Sequence, residues 1–398
     1  MKEKIAIIVD ISFTKRDYER FGIKTLKKKF NVFIFDFTNT FSKSLKNFQY
    51  SKKTYKCKGY YSIKNLNILK KFVEKYKFTN CINYISNKDL DFKIINIFKK
   101  KKIPIVKIQN GLAIGPGDQR TFFQKLHILA LKFTNKKRFI SFLKNNFEKL
   151  KRKIHKNDGI NLIFDKIVIT GEKGLQDNEI DTKTKIIYAH SFDYDNYLKK
   201  NDNIKIIKKK PYAVFLDQYL PHHPDAPIFF GVDPRCTKEK YYPALNNFFN
   251  IFEKKFNMQV IICAHPKSDY KSNPNCLYGR KFVKNKNLEL VKGSSLVFAH
   301  CSTTITYAVI YKKPLVFLLS DEYIRSFDNY TPFVIAKKLN SACYNIDKKN
   351  NIFNIQRKDL FKIHKKKYQI YKNEYIKYPG SSNEPFWEIF NNKINLTY

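Results

Sequence analysis

The chain has 398 residues and a formal net charge of +43, with 77 lysine and arginine residues against 34 aspartate and glutamate residues. Hydrophobic residues make up 43% of the sequence, which excludes disorder of the whole chain and supplies enough apolar surface for two domain cores. The charge favours a polyanionic partner or an anionic membrane, but the lysines are spread along the chain, as AT-rich codon usage would also produce.

Cysteine usage and apolar runs narrow the class of protein. The cysteines form no CxxC pair and share no short spacing with histidine, so neither a zinc site nor a disulfide framework is expected. Free thiols in a reducing cytoplasm fit this pattern. The first apolar run ends at Asp10 and is too short for a signal peptide, and no run of about 18 apolar residues predicts a membrane span.

The N-terminal half alternates short apolar runs with basic segments of helical periodicity. Such alternation indicates a parallel sheet covered on both faces by helices. Strands are predicted at residues 5–9, 31–37, 80–85, 103–108, 164–171 and 185–190, and helices at residues 67–76 and 90–101.

Residues 120–155 interrupt this alternation. Their apolar residues lie three or four positions apart with lysines between them, which predicts one or two basic amphipathic helices. Packing of these helices against the sheet is the favoured interpretation. The alternative is an in-plane contact with the cytoplasmic face of a membrane.

The second half repeats the pattern after the polar, lysine-rich residues 191–211, which we interpret as an interdomain linker. The sequence therefore predicts an α/β fold with two Rossmann-like domains, residues 1–200 and residues 201–375. Strands are predicted here at 212–221, 259–266, 288–291, 295–300 and 314–319, with a helix over 239–256.

Polar residues end three predicted strands of the second domain. Asp217 ends the first, His265 with Pro266 and Lys267 ends the second, and a polar cluster over residues 300–304 ends the third. Ligands of open parallel sheets bind beyond the carboxyl ends of the strands, so these residues are expected at one edge.

The hydroxyls of this cluster lie where a helix must begin. They serve there as helix caps, or they combine with backbone N–H groups and the helix dipole to bind a phosphate. The His265 turn favours the second interpretation, while dinucleotide-binding and P-loop glycine patterns are missing from the sequence. We therefore predict a nucleotide-phosphate pocket made by His265, Pro266, Lys267, His300, Ser302, Thr303 and Thr304.

These features resemble the GT-B glycosyltransferases, which have two such domains with a cleft between them. Residues 295–318, "SLVFAHCSTTITYAVIYKKPLVFL", are similar to that superfamily's segment around the donor phosphates. The "AHPK" of residues 264–267 resembles the HP motif of bacterial sialyltransferases and Kdo transferases, which also carry a Ser/Thr motif matching residues 302–304. The D/E-D/E-G motif that supplies the base in those sialyltransferases is missing from this sequence.

The resemblance implies transfer of a sugar from a nucleotide-activated donor, such as a CMP-linked nonulosonate or a Kdo-type sugar. The implied acceptor is a hydroxyl of a surface glycan or glycolipid in capsule, lipopolysaccharide or lipooligosaccharide. No cofactor, metal or nucleic acid is expected. The implied location is the cytoplasm, with peripheral contact at the inner face of the cytoplasmic membrane, and residues 376–398 are expected to pack back toward the first domain.

An inverting transfer also needs a group that deprotonates the acceptor hydroxyl. Asp10 is the first candidate because it ends the first strand, and Asp17 is the next. Asp217 competes from the second domain. His190 and Asp193 lie at the predicted hinge and are expected to face the cleft, although acids in such positions also serve as helix or turn caps.

Two other classes of protein stay open. A nucleic-acid-binding protein is motivated by the charge and by 16% aromatic residues, but it needs basic and aromatic residues concentrated on one surface. A GT-B-shaped epimerase or a non-catalytic homologue is the other class. Only a measurement of turnover separates it from a transferase.

Overall fold

The computed structural model describes most of the chain, which divides into two compact units. The first unit comprises Met1–Leu112, Lys151–Leu198 and Glu374–Tyr398, and the second comprises Ala113–Leu150 and Lys199–Asn373. The described residues are 2–41, 54–85, 88–109, 164–174, 180–204, 210–223, 234–272, 274–326, 331–348 and 353–395, together with the helical positions 126, 130, 133, 139, 140 and 143.

The first unit contains a sheet of seven parallel strands in the order β3-β2-β1-β4-β5-β6-β7, which reverses direction between β1 and β4. Along β1, Ile5, Ile7 and Val9 face one buried core and Ala6 and Ile8 face another, so the strand is apolar from Ile5 onward. The strands are β1 (Glu3–Val9), β2 (Phe30–Asp36), β3 (Tyr60–Ser62), β4 (Phe78–Tyr84), β5 (Ile105–Gln109), β6 (Lys166–Ile169) and β7 (Lys185–Tyr188).

Short helices connect these strands. Asn65 begins one of them, because its side-chain oxygen accepts the Ile68 backbone N–H at 3.1 Å. The helices up to the second unit are α1 (Lys15–Arg20), α2 (Ile23–Lys29), α3 (Thr38–Phe41), α4 (Leu66–Lys75), α5 (Lys88–Lys99) and α6 (Phe192–Lys200).

The second unit contains a sheet of six parallel strands in the order β10-β9-β8-β11-β12-β13. This order reverses between β8 and β11, so both sheets have the strand sequence of a doubly wound fold. The strands are β8 (Tyr212–Leu216), β9 (Gln259–Ala264), β10 (Phe282–Lys284), β11 (Leu296–Ala299), β12 (Leu315–Leu319) and β13 (Ala342–Asn345).

One long helix supplies much of the second core. Its Leu245, Phe248, Phe249 and Phe252 recur three or four positions apart and are buried against the sheet. The helices of this unit are α7 (Lys238–Phe256), α8 (Asn287–Gly293), α9 (Ile305–Ile310), α10 (Asp321–Arg325), α11 (Thr331–Leu339), α12 (Arg357–Leu360) and α13 (Lys365–Tyr371).

The last helix, α14 (Phe386–Lys393), belongs to the first unit. Phe386, Trp387 and Phe390 are buried in the same core as the residues of β1. Trp387 also donates from Nε1 to the carbonyl of Arg20 at 2.9 Å. The indole therefore buries its apolar body and still satisfies its one donor.

The predicted fold class of two Rossmann-like α/β domains is confirmed by these two parallel sheets. The short strands β3, β10 and β13 escaped prediction because each lies at a sheet edge and no residue in them is fully buried. The predicted strand over residues 288–291 is wrong. That segment is helical because Leu288 and Val291, three positions apart, bury one helix face.

The boundary between the two units falls between Leu198 and Lys199, inside the predicted linker of residues 191–211, but the interpretation that this stretch has little to bury is wrong in its first half. Residues 192–200 form α6, which buries Tyr194 and Asp195. Asp195 accepts the backbone N–H of Phe386 at 2.9 Å. A residue that the sequence assigned to a polar linker therefore stabilises the first turn of α14.

Candidate functional site

The candidate site lies at the carboxyl edge of the second sheet, where the strand order reverses. β8 is central there, with β9 on one side and β11 on the other. The residues that follow the three strands therefore meet at one edge, as expected for a ligand site of an open parallel sheet.

Gln218 joins the end of β8 to the end of β11. Its Oε1 accepts the backbone N–H of Cys301 at 2.9 Å, and its Nε2 donates to the carbonyl of the same residue at 2.8 Å. Two parallel hydrogen bonds to one residue allow little rotation. The turn that carries Ser302, Thr303 and Thr304 is therefore fixed relative to β8.

Asp217 joins the end of β8 to the turn after β9. Its Oδ1 accepts the N–H of Tyr219 at 2.7 Å, while Oδ2 accepts the N–H of His265 at 3.2 Å and the hydroxyl hydrogen of Tyr270 at 3.0 Å. Burial raises the pKa of the Asp217 carboxyl, and the hydrogen bonds from Tyr219, His265 and Tyr270 oppose that shift. Both oxygens are engaged, so we assign Asp217 a positioning role instead of the predicted role as base.

The HP turn, defined as residues 265–268, presents two donors. Its backbone is closed by a hydrogen bond from Ser268 N to His265 O at 2.9 Å, with Pro266 at the second position, where a fixed φ suits such a turn. Lys267 N donates to His265 Nδ1 at 3.2 Å, which assigns the proton of the neutral ring to Nε2. His265 and Lys267 are both partly exposed and can donate to an anion.

The hydroxyl turn of residues 302–304 is held by a hydrogen bond of its own. Ser302 Oγ accepts the N–H of Thr304 at 3.3 Å and also hydrogen-bonds the Thr304 hydroxyl, whereas no side-chain hydrogen bond caps the start of α9. Thr303 is exposed and lies at the same sheet edge as the HP turn.

His300 is a core residue, and its predicted role in phosphate binding is wrong. The side chain is fully buried, with Nδ1 2.7 Å from the carbonyl oxygen of Leu318 and Nε2 2.7 Å from the hydroxyl of Tyr241. The carbonyl requires a proton on Nδ1, so Nε2 accepts from the tyrosine. Burial lowers the pKa of His300 to about 4, and the ring is neutral at pH 7.

In the first unit, Asp10 follows β1 at the reversal of strand order and is 8% exposed. Asp17 has a different place, in the first turn of α1. It forms a capping box with Thr14, accepting the Thr14 backbone N–H at 2.9 Å and the Thr14 hydroxyl at 2.6 Å. We therefore assign Asp17 a capping role and retain only Asp10 as candidate base.

His190 and Asp193 do not form the predicted pair. His190 is 0% exposed, its Nε2 lies 2.9 Å from the carbonyl oxygen of Glu384, and its backbone bridges to Lys377. A side chain without solvent access does not face a ligand, so that part of the prediction is wrong. Asp193 is partly exposed in the first turn of α6, where an acid is favoured by the helix dipole.

Within the described residues, histidine, cysteine and acidic side chains form no group of three or more that could hold a metal ion. The same residues contain no helix with the length and apolar character needed to cross a bilayer.

Several solved structures are similar to this protein over nearly the whole length of the chain. The UDP-GlcNAc 2-epimerase from Methanocaldococcus jannaschii shares 14% identity with a TM-score of 0.45, over 94% of this chain and 99% of that one. MurG from Acinetobacter baumannii shares 7% identity with a TM-score of 0.43, over 98% of this chain and 93% of that one. The calicheamicin glycosyltransferase CalG4 shares 10% identity with a TM-score of 0.47, over 90% of this chain and 89% of that one.

No protein-family model and no curated protein matches the chain.

Sequence reasoning assigned no site role to Gln218, Tyr270 or His223. Gln218 directly follows the strand-ending Asp217, and this position is the one signal that points to it. Tyr270 and His223 lie on loops without periodicity. Tyr270 reaches Asp217, and the His223 ring centroid lies 4.7 Å from that of His265, only because separate strands end side by side.

Proposed function

We propose that this protein is a glycosyltransferase that moves a sugar from a nucleotide-activated donor to a hydroxyl of a surface glycan. The donor is proposed to be a CMP-linked nonulosonate or Kdo-type sugar, bound at the carboxyl edge of the second sheet. One observation carries the proposal. Adjacent residues at the end of β8, Asp217 and Gln218, hold the HP turn and the hydroxyl turn on the two sides of that strand.

The proposed chemistry assigns a task to each part of the site. The bond between the sugar's anomeric carbon and the phosphate oxygen breaks, and the nucleotide leaves with the electron pair. His265 Nε2–H, Lys267 and the Thr303 hydroxyl donate to the phosphate and stabilise its growing charge. The acceptor oxygen forms the new bond to the anomeric carbon, and its proton passes to the Asp10 carboxylate.

Donor binding is the first prediction to measure. We expect one of CMP, UDP or GDP to raise the Tm of the full chain, and His265→Ala to weaken its binding by about 10-fold to 100-fold, because a hydrogen bond to a charged group is lost. Calorimetric titration gives the Kd. His364→Ala is the matched control, since His364 contacts Asn340 on the surface of the same unit and lies outside the site.

The same screen distinguishes the proposed transferase from a nucleic-acid-binding protein and from an epimerase. Stabilisation by a single-stranded oligonucleotide alone, fading with salt, would contradict the proposal and favour nucleic-acid binding. Conversion of the bound donor into an epimer without an acceptor would establish an epimerase instead.

We also propose that the second unit contacts an anionic membrane surface through an apolar face of residues 126, 133, 140 and 143. Leu126, Phe133, Ile140 and Leu143 are 50–60% exposed, so the favoured interpretation that this segment packs on the sheet is wrong for these side chains. Each of the four lies at a helical position, and lysines stand between them in the sequence. Apolar side chains flanked by lysines are typical of contact with anionic lipid.

We expect the chain to sediment with phosphatidylglycerol vesicles and not with phosphatidylcholine vesicles. Replacing the four residues of the apolar face with serine is expected to lower vesicle binding at least about 10-fold, because their burial in lipid is lost. Phe353→Ser with Ile370→Ser is the control, since both residues are exposed elsewhere on this unit. Equal loss in both variants would contradict the membrane contact.

A further inference from the structure

The HP turn has a second histidine beside it. His223 follows the short 3-10 helix Leu220–His222 after β8, and His265 follows β9. The two ring centroids are 4.7 Å apart with an interplanar angle of 57°. Both side chains are partly exposed, so a ligand at this sheet edge can reach them.

The short distance between the His223 and His265 rings allows both to bind one ligand. Each neutral imidazole has one N–H donor, and two rings this close can donate to different oxygens of one anion. A phosphate fits this arrangement, because its negative charge is spread over separate oxygens that each accept a hydrogen bond. A neutral sugar hydroxyl offers a single oxygen and no charge.

The local backbone also prepares His265 for this task. Its Nδ1 is committed to the N–H of Lys267, so Nε2 is the donor nitrogen of the neutral ring. Lys267, in the same turn, adds a positive charge. The Asp217 carboxyl group is buried, and its Oδ2 accepts hydrogen bonds from the His265 backbone N–H and the Tyr270 hydroxyl.

We propose that His223 is a second phosphate-binding residue, and that His223 and His265 together bind the phosphate of the nucleotide, which gains a second negative charge when the sugar leaves. This inference rests on the proposed function, in which the second unit binds a nucleotide-activated sugar. It assigns to His223 a role in recognition of the phosphate and none in recognition of the base or the sugar.

The test compares nucleotides with nucleosides on the full chain by calorimetric titration. CMP with cytidine, and UDP with uridine, are the probes, together with inorganic pyrophosphate. We expect His223→Ala and His265→Ala each to weaken binding of the nucleotide about 10-fold or more, with no change for the nucleoside. The double variant should lose less than the product of the two single losses, because both rings bind one phosphate.

His222→Ala is the matched control, since the neighbouring ring of His222 packs on Tyr219 and Tyr242 instead of His265. His223→Gln retains a side-chain donor and is expected to recover part of the affinity, and the Tm of each variant without ligand checks the fold. If His223→Ala binds nucleotide as His222→Ala does while His265→Ala is weakened, the role of His223 is wrong and the proposed function stands. If the unaltered chain binds no nucleotide or pyrophosphate, the proposed function fails and this inference fails with it.

Discussion

Asp10→Asn is expected to lower the rate of sugar transfer by about 10²-fold to 10⁴-fold, the range typical for loss of a general base. Asparagine has nearly the same shape as aspartate but cannot take the acceptor's proton at neutral pH. Affinity for the donor nucleotide should stay within about twofold, because the proposed phosphate ligands His265, Lys267 and Thr303 lie in turns of the second unit. Nucleotide release at saturating donor measures the rate, and titration with the nucleotide measures the affinity.

Asp17→Asn is the control for this prediction. Asp17 accepts hydrogen bonds from Thr14 in the capping box of α1, so its replacement is expected to cost about 1 kcal/mol of stability and to leave the rate within a few-fold. A rate for Asp10→Asn equal to that for Asp17→Asn would mean that the base lies elsewhere in the chain.

The second large effect concerns stability at low pH. The His300 ring has a pKa of about 4 in the folded chain against an ordinary value of 6.5, because it is buried. The unfolded chain therefore binds more protons between these two pH values. The stability that neutral His300 contributes is complete above pH 6.5 and is lost as the pH falls, by about 3 kcal/mol at pH 4.

A comparison with His300→Asn isolates this contribution from the carboxylates that titrate over the same range. The asparagine amide can donate to Leu318 as Nδ1 does, but it leaves the Tyr241 hydroxyl without its acceptor, which costs about 1–3 kcal/mol at pH 7. Urea unfolding at pH 7 and pH 4 measures both proteins. We expect the stability difference between them to change by about 3 kcal/mol in the variant's favour at low pH, and a constant difference would show that His300 protonates freely in the fold.

The sequence and the structure agree best where strands are buried on both faces. Residues 5–9 of β1, together with β8 and β12, are continuous apolar runs because each is covered above and below, and such runs stand out against lysine-rich surroundings. The edge strands β3 and β13 carry no such signal, since each is short and only partly buried. They join a sheet because the neighbouring strand has unpaired backbone groups along its edge, and the local sequence pattern carries no information about that neighbour.

By itself the sequence determined the two α/β domains and the polar residues that end their central strands. Buried strands require continuous apolar residues, and the apolar run ends where the strand leaves the core. The tertiary structure decided which of those polar residues can meet a ligand. His300 and His265 both end strands, yet distant Tyr241 and Leu318 satisfy the first in the core, while the second lies partly exposed beside His223. The physical reason is that the role of a polar side chain depends on burial and hydrogen-bond partners, and residues remote in sequence supply both.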